Sequence, residues 1–148
     1  MRFEPFISVD GIAFSLVRDE LLRRRGKPPH EHRNGVGLNE LDYTTVVFRF
    51  QDCGRLEEVT ALARVVHLGS VAVPFASLEA FVREQDPTAF ERAGFLVSPA
   101  LGLAFDATEP YWVTALATHS VTQWESRGQP GVAGAGPCTD SRLSLIHI

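Results

Sequence analysis

The sequence has few cysteines, no long apolar run and no excess of basic residues. Its 148 residues include only two cysteines, too few for a disulfide framework or a multi-cysteine zinc or iron–sulfur site. No apolar stretch approaches the ~20 residues that a membrane span needs, and the N-terminus lacks the features of a signal peptide. The net charge of −4 disfavours a nucleic-acid-binding surface. We therefore expect a cytoplasmic protein that binds neither nucleic acid nor membranes.

Signature motifs of nucleotide binding and of hydrolysis are also missing. The chain contains no Gly-x-x-x-x-Gly-Lys-Ser/Thr loop and no Gly-x-Gly-x-x-Gly turn, the backbone arrangements that hold phosphates. It also lacks the Gly-x-Ser-x-Gly elbow of serine hydrolases. The sequence therefore predicts no cofactor, assigns no catalytic residue and favours a protein that is not an enzyme.

The composition changes near the C-terminus. Glycine and proline crowd together from Gly128 onward, and no helix or strand period continues there. The last six residues, LSLIHI, resemble a translated sequencing adapter. We therefore expect residues 128–148, which include Cys138, to be a disordered and artefactual tail. Residues 1–127 are expected to form a single domain.

Two short helices are predicted in this domain. The first is expected to start from a Ser15 cap and to stop at Gly26, with acidic residues in its first turn and arginines in its last. The second is expected to start from a Ser77 cap and to stop at Asp86, with apolar residues at helical spacing. Residues 90–93 suggest one more helical turn.

Several segments alternate or concentrate β-branched and aromatic residues, which is typical of strands. In residues 43–51, Phe48 and Phe50 share one face and Arg49 lies on the other. Further strands are predicted over 56–62, 65–73, 95–97, 101–105 and 111–117, with Gly69-Ser70 breaking or bulging the segment 65–73. The proline- and glycine-containing segment 27–39 is predicted to be a loop. This pattern predicts an α+β fold in which short helices pack on one face of an antiparallel sheet.

An internal repeat suggests how the domain is organised. The pentapeptide VTALA occupies Val59–Ala63 and recurs as Val113–Ala117. Each copy ends a predicted hairpin downstream of a serine-capped helix. This order favours duplication of a helix-plus-hairpin unit over coincidence, with halves at 1–63 and 64–127.

The segment from Gly11 to Pro28 resembles the helix-then-Gly-x-Pro element that opens small bacterial α+β proteins of the BamE-like and beta-lactamase-inhibitor-like kind. Families of similar layout include immunity proteins that neutralise a toxin. The resemblance implies helices packed on an antiparallel sheet and a tendency to bind other proteins. We therefore expect a protein-interaction domain, of the immunity type in its narrower form.

Two pairs of residues are candidates for contacting such a partner. Glu57 and Glu58 contribute acidity that a basic toxin could recognise. Tyr111 and Trp112 follow a turn and are either an aromatic anchor in an interface or part of the rim of the domain's own core. Trp124, beyond the last predicted strand, is expected to be partly exposed. The sequence does not assign an oligomeric state.

A small metal-dependent enzyme is one alternative. His30 and His32 could ligate a metal with Asp42 or Asp52. They lack the helical spacing that organises zinc proteases, and a solvated polar loop is the simpler interpretation.

A cysteine enzyme is the other alternative. Cys53 lies in a predicted turn and would need a histidine, such as His67 or His119, to hold it as thiolate. A neighbouring carboxylate at Asp52 would oppose that ionisation, so an inert turn cysteine is the favoured interpretation.

Overall fold

The computed structural model describes residues 1–126, with only the backbone of Ser126 placed in the last helix. The predicted tail at 128–148 and Cys138 lie outside the described residues. Three helices are present: α1 (Arg18–Arg25), α2 (Phe75–Gln85) and α3 (Thr118–Ser126). None of these three is long and apolar enough to cross a membrane.

Thirteen strands form two sheets within this range. The strands of the smaller sheet are β1 (Arg2–Glu4), β2 (Ser8–Val9), β3 (Ile12–Ala13), β8 (Val65–Leu68) and β9 (Val71–Pro74), in the order β3-β2-β1-β8-β9. The strands of the larger sheet are β4 (His30–Arg33), β5 (Asn39–Asp42), β6 (Val46–Phe50), β7 (Leu56–Leu62), β10 (Phe90–Arg92), β11 (Phe95–Ser98), β12 (Leu103–Phe105) and β13 (Trp112–Leu116). All pairs are antiparallel except β1 with β8. The predicted α+β class is confirmed.

The larger sheet consists of two four-stranded meanders joined at their last strands. Its order is β10-β11-β12-β13-β7-β6-β5-β4, so β7 and β13 meet in the middle. The two VTALA copies lie on these strands and pair antiparallel, with Thr60 opposite Thr114. The repeated peptide is therefore paired with its own copy at the centre of the sheet.

The main core lies on one face of this sheet. Alternation in β6 turns Phe48 and Phe50 inward, where they are 2% and 0% exposed. They pack in one cluster with Leu21 of α1, Leu78 of α2 and residues of the smaller sheet. We call this the core face, and the opposite face, which carries Arg49, Glu58, Thr60 and Thr114, the outer face.

The two predicted helices are confirmed, but not their caps. The N-cap of α1 is Val17 and that of α2 is Pro74, and neither position has a side-chain capping hydrogen bond. At its other end, α1 stops at Gly26, which has φ of 78° and donates its amide to the Leu22 carbonyl. A positive φ suits glycine because it has no Cβ to clash.

Two local predictions are wrong. Part of the expected loop 27–39 is the edge strand β4, which forms by pairing with β5. The expected helical turn at 90–93 is the strand β10, paired with β11. In both cases pairing between strands decides the structure over local preference. In the segment 65–73, the expected interruption at Gly69-Ser70 is the turn of the hairpin that β8 and β9 form.

A second, smaller core lies on the outer face. The α3 helix contacts β7 and β13, and its Val121 and Trp124 pack in one cluster with Val97 of β11, Ala104 of β12 and Leu116 of β13. Trp124 is 4% exposed, so the expectation of a partly exposed side chain is wrong. Its ring stacks edge-to-face on Phe95 at 5.2 Å between centroids.

Candidate functional site

The outer face of β4, β5, β6 and β7 carries a ladder of polar side chains. Cross-strand register aligns His32 with Glu40, Glu40 with Arg49, and Arg49 with Glu58. Adjacent members on one face lie within interaction distance in a sheet. Arg49 is therefore placed between two glutamates.

Arg49 joins this ladder to the central threonines. Its Nε donates to Glu40 Oε2 at 2.8 Å, and its Nη1 donates to Thr60 Oγ1 at 2.5 Å. Thr60 Oγ1 lies 2.7 Å from Thr114 Oγ1. One connected network thus runs from β5 across the seam between β7 and β13.

Glu40 contacts several polar side chains at the other end of the network. Its Oε2 also accepts from Asn34 Nδ2 at 3.1 Å, and its Oε1 lies 3.1 Å from His32 Nε2. Burial raises the pKa of Glu40, but the hydrogen bonds from Arg49 and Asn34 and the charge of Arg49 outweigh it. The pKa is therefore below its usual value, and Glu40 stays ionised opposite Arg49.

A groove of about 400 Å³ runs beside this network. Its floor is the seam of the sheet, and its walls come from the turn after β4, the turn before β13, Phe95 and α3. We call it the outer groove. It is lined by Asn34, Val36, Arg49, Glu58, Thr60, Phe95, Asp106, Glu109, Trp112, Thr114 and Trp124. Both tryptophans of the chain are in this set.

The rim near β13 is acidic and continues onto an apolar surface. Asp106 and Glu109 belong to the turn that precedes Trp112. The Oδ1 atom of Asp106 accepts from the amide and hydroxyl of Thr108, at 2.9 and 2.6 Å, and these bonds lower the pKa of Asp106. Across the strand pair, Trp112 lies opposite Leu62, which is 46% exposed.

Tyr111 and Trp112, predicted as a pair, point to different environments. The Tyr111 ring packs edge-to-face on Phe75, and the Arg64 guanidinium lies 4.7 Å from its centroid. Trp112 instead lines the outer groove. Only the second of the two aromatic residues is therefore placed at a candidate binding surface.

Glu57 and Glu58, which are expected from the sequence to meet a partner at the surface, are buried and only 1% and 4% exposed. Arg49 pairs with Glu58 and Phe50 with Leu56, so Glu57 is the extra residue of a β-bulge. Glu57 Oε1 lies 2.9 Å from His119 Nε2 at the start of α3, although neither atom has hydrogen-bond geometry to a partner among residues 1–126. Glu58 lines the outer groove.

The metal ligands considered above do not converge. His30 and His32 are exposed on the edge strand β4, and Asp42 lies opposite His30 in β5. Asp52 accepts from Arg33 at 2.7 Å and from Asn39 at 2.9 Å. Across residues 1–126, no group of three or more histidine, cysteine or carboxylate side chains has the geometry to hold a metal ion.

Cys53 is not placed as a nucleophile. Its sulfur is disulfide-bonded, and a sulfur in that state has no thiolate to attack a substrate. His119, one of its two suggested partners, instead contacts Glu57. The other, His67, lies on β8 of the smaller sheet.

Comparison with known proteins does not assign a family. No protein-family model and no curated protein matches the chain. Among solved structures, the chain is similar to an extracellular protein containing a SCP domain from Bacillus anthracis str. Ames, with a TM-score of 0.49 and 14% sequence identity. The match covers 88% of this chain and 51% of that chain, so this chain spans about half the length of that structure.

Proposed function

We propose that this chain is a protein-interaction domain that binds its partner in the outer groove. The observation that carries the proposal is the groove itself, in which two tryptophans and Phe95 stand beside a polar floor. Tryptophan is enriched among the residues that dominate interface energetics, because it buries a large area and loses little side-chain freedom.

The apolar surface beside the groove supports the same proposal. Leu62 is 46% exposed and lies directly opposite the half-buried Trp112 on the neighbouring strand. A partner segment seated in the groove would cover both side chains. Burial of apolar area of this kind is the main favourable term in most protein association.

An immunity-type protein is the narrower form of the proposal. Its partner would be a toxin with a basic surface, which a chain of net charge −4 would attract over long range. The carboxylates at the groove rim would then meet the basic surface at close range.

Site-specific photocrosslinking in the source organism tests the proposal. A photoreactive amino acid at position 62 should capture one discrete partner, and Trp112→Ala should abolish that capture. Position 71 is the matched control, because Val71 is 47% exposed but lies on the smaller sheet. Equal capture from both positions, or capture that does not depend on Trp112, would contradict the proposal.

A further inference from the structure

The outer groove has an excess of negative charge. Three carboxylates line it, those of Glu58, Asp106 and Glu109, against one cation, Arg49. The Arg49 charge is already balanced by Glu40, which lies 2.8 Å from its Nε. Among residues 1–126, no cation of the lining forms an ion pair with Asp106 or Glu109, so a ligand at the rim meets these two carboxylates.

Asp106 has an oxygen available for a ligand. Both bonds from Thr108 go to Oδ1, and no group within residues 1–126 donates a hydrogen bond to Oδ2. Because those bonds favour the ionised carboxyl, Asp106 is an anion at neutral pH. A carboxylate in this state forms its strongest hydrogen bonds with charged donors.

The aromatic walls fit a long side chain with a cationic end. Lysine and arginine bury their methylene stems along apolar surface while the charged group remains at a polar rim. Tryptophan rings also attract a cation placed over their faces. The groove combines both features, since Trp112 and Trp124 line it together with the carboxylates.

Other ligand classes fit less well. An acidic segment would bring like charges together at the rim, which costs free energy. A purely apolar segment would remove the carboxylates from water without giving them a partner, which also costs free energy. Only a basic side chain satisfies the walls and the rim together.

We propose that the outer groove binds an arginine or lysine side chain of the partner protein, with its stem against Trp112 and its charged group at Asp106 and Glu109. This inference rests on the proposed function and specifies the partner's contacting residue. It predicts binding that weakens with added salt, because screening reduces attraction between charges at the rim.

Tryptophan fluorescence measures this binding directly, because both tryptophans line the groove. The full chain is titrated with the amides of N-acetyl-arginine, N-acetyl-lysine, N-acetyl-glutamine and N-acetyl-glutamate. We expect saturable changes with the two basic probes, with Kd on the order of 1 mM for ligands of this size. The neutral and acidic probes should bind at least about tenfold more weakly, the ratio that one charge-assisted contact supplies.

The double variant Asp106→Asn/Glu109→Gln should raise the Kd of the basic probes at least about tenfold. The asparagine side chain keeps an oxygen that can accept both Thr108 bonds, so the turn is retained. Glu79→Gln/Glu84→Gln is the matched control, since it removes the same two charges from exposed positions of α2. The urea midpoint of each variant verifies that it is folded.

The outcomes separate this inference from the proposed function. Equal binding of basic and neutral probes, or an unchanged Kd in the Asp106→Asn/Glu109→Gln variant, would overturn the inference even if position 62 still crosslinks to a partner. Fluorescence that changes with protein concentration alone would assign the groove to a second copy of the chain and also overturn it. Binding of basic probes without any crosslinked partner would instead count against the proposed function.

Discussion

The two halves of the larger sheet share a topology but differ on their outer faces. One cross-strand row runs through all eight strands, in the order Phe90, Val97, Ala104, Thr114, Thr60, Val47, Asp42 and His30. The row is apolar at Phe90, Val97 and Ala104, and from Thr114 to His30 it is polar except at Val47. The outer face of one meander is thus covered by α3, whereas the outer face of the other carries paired charged side chains.

The difference explains where the groove forms. Because α3 lies over only part of the outer face, the surface drops at the edge of the helix to the level of the strands that the helix leaves uncovered. Trp124 stands at that step, and the Arg49 network forms the lower floor. The groove therefore has an aromatic wall and a polar floor because α3 covers one half of the outer face, whereas the other half carries paired polar side chains.

Removing the Trp124 side chain should have the largest effect on stability. Trp124 is 4% exposed and contributes to the only core that holds α3 within the described residues. We expect Trp124→Ala to lower the free energy of unfolding by about 3–5 kcal/mol, as for other large-to-small core substitutions. Urea unfolding followed by far-UV circular dichroism measures the change.

Trp112→Ala is the comparison for that substitution. Trp112 is only partly buried, so its removal should cost less stability while abolishing binding in the groove. An equal loss of stability in the two variants would contradict the expectation that Trp124 contributes more to the core than Trp112.

A second difference concerns one hydrogen-bonded carboxylate in each half. Asp86, after α2, accepts from the hydroxyls of Ser98 and Thr88 at 2.6 and 2.5 Å and from the Ala100 amide at 3.1 Å. Burial raises the pKa of Asp86, but these hydrogen bonds outweigh it and hold the pKa below its usual value. Glu40 in the other half also has a lowered pKa.

We expect Asp86→Asn to cost about 1.5–3 kcal/mol at pH 7, the range for hydrogen bonds to a charged group. A lowered folded-state pKa stabilises the protein above the unfolded pKa, and this stabilisation is lost as the pH falls through the folded pKa. The variant should therefore lose less stability than the wild type between about pH 5 and pH 2. Urea unfolding at several pH values measures both effects.

Glu40→Gln is the matching variant in the first half. Its side chain is 14% exposed, so water can replace part of what the substitution removes. We expect a smaller loss at pH 7 and a smaller change in acid sensitivity than for Asp86→Asn. A larger effect at Glu40 would mean that the open half, rather than the covered half, limits stability at low pH.

The sequence predicts elements best where burial follows a simple period. Alternation in β6 identifies Phe48 and Phe50 as core residues, and both are buried. Helix α3 has only Val121 and Trp124 as its buried apolar positions in nine residues, too few to reveal a helical period. Strand β4 has no β-branched residue and exists because β5 pairs with it.

The candidate site was less predictable than the fold. Trp112 and Glu58 can be noticed as single residues, but their neighbours in the groove come from distant parts of the chain. Arg49, Asp106 and Trp124 are brought together only by strand order and by α3. The duplication with halves at 1–63 and 64–127 stays a prediction, while the VTALA copies are shown to pair with each other.

The smallest expected effect lies at the seam, where the two halves are most alike. Thr60 and Thr114 occupy the same place in the two copies and contact each other at 2.7 Å. Only Thr60 also accepts from Arg49, so Thr60→Val removes two hydrogen bonds and Thr114→Val removes one. We expect losses of about 1–2 and about 1 kcal/mol, respectively, from the usual net value of one bond.

A double-mutant cycle by urea unfolding should give a coupling of about 0.5–1 kcal/mol, because the double variant leaves no hydroxyl unpaired. Equal costs for the two single variants would mean that the Arg49 bond adds nothing, and that the network of the open half does not reach the seam.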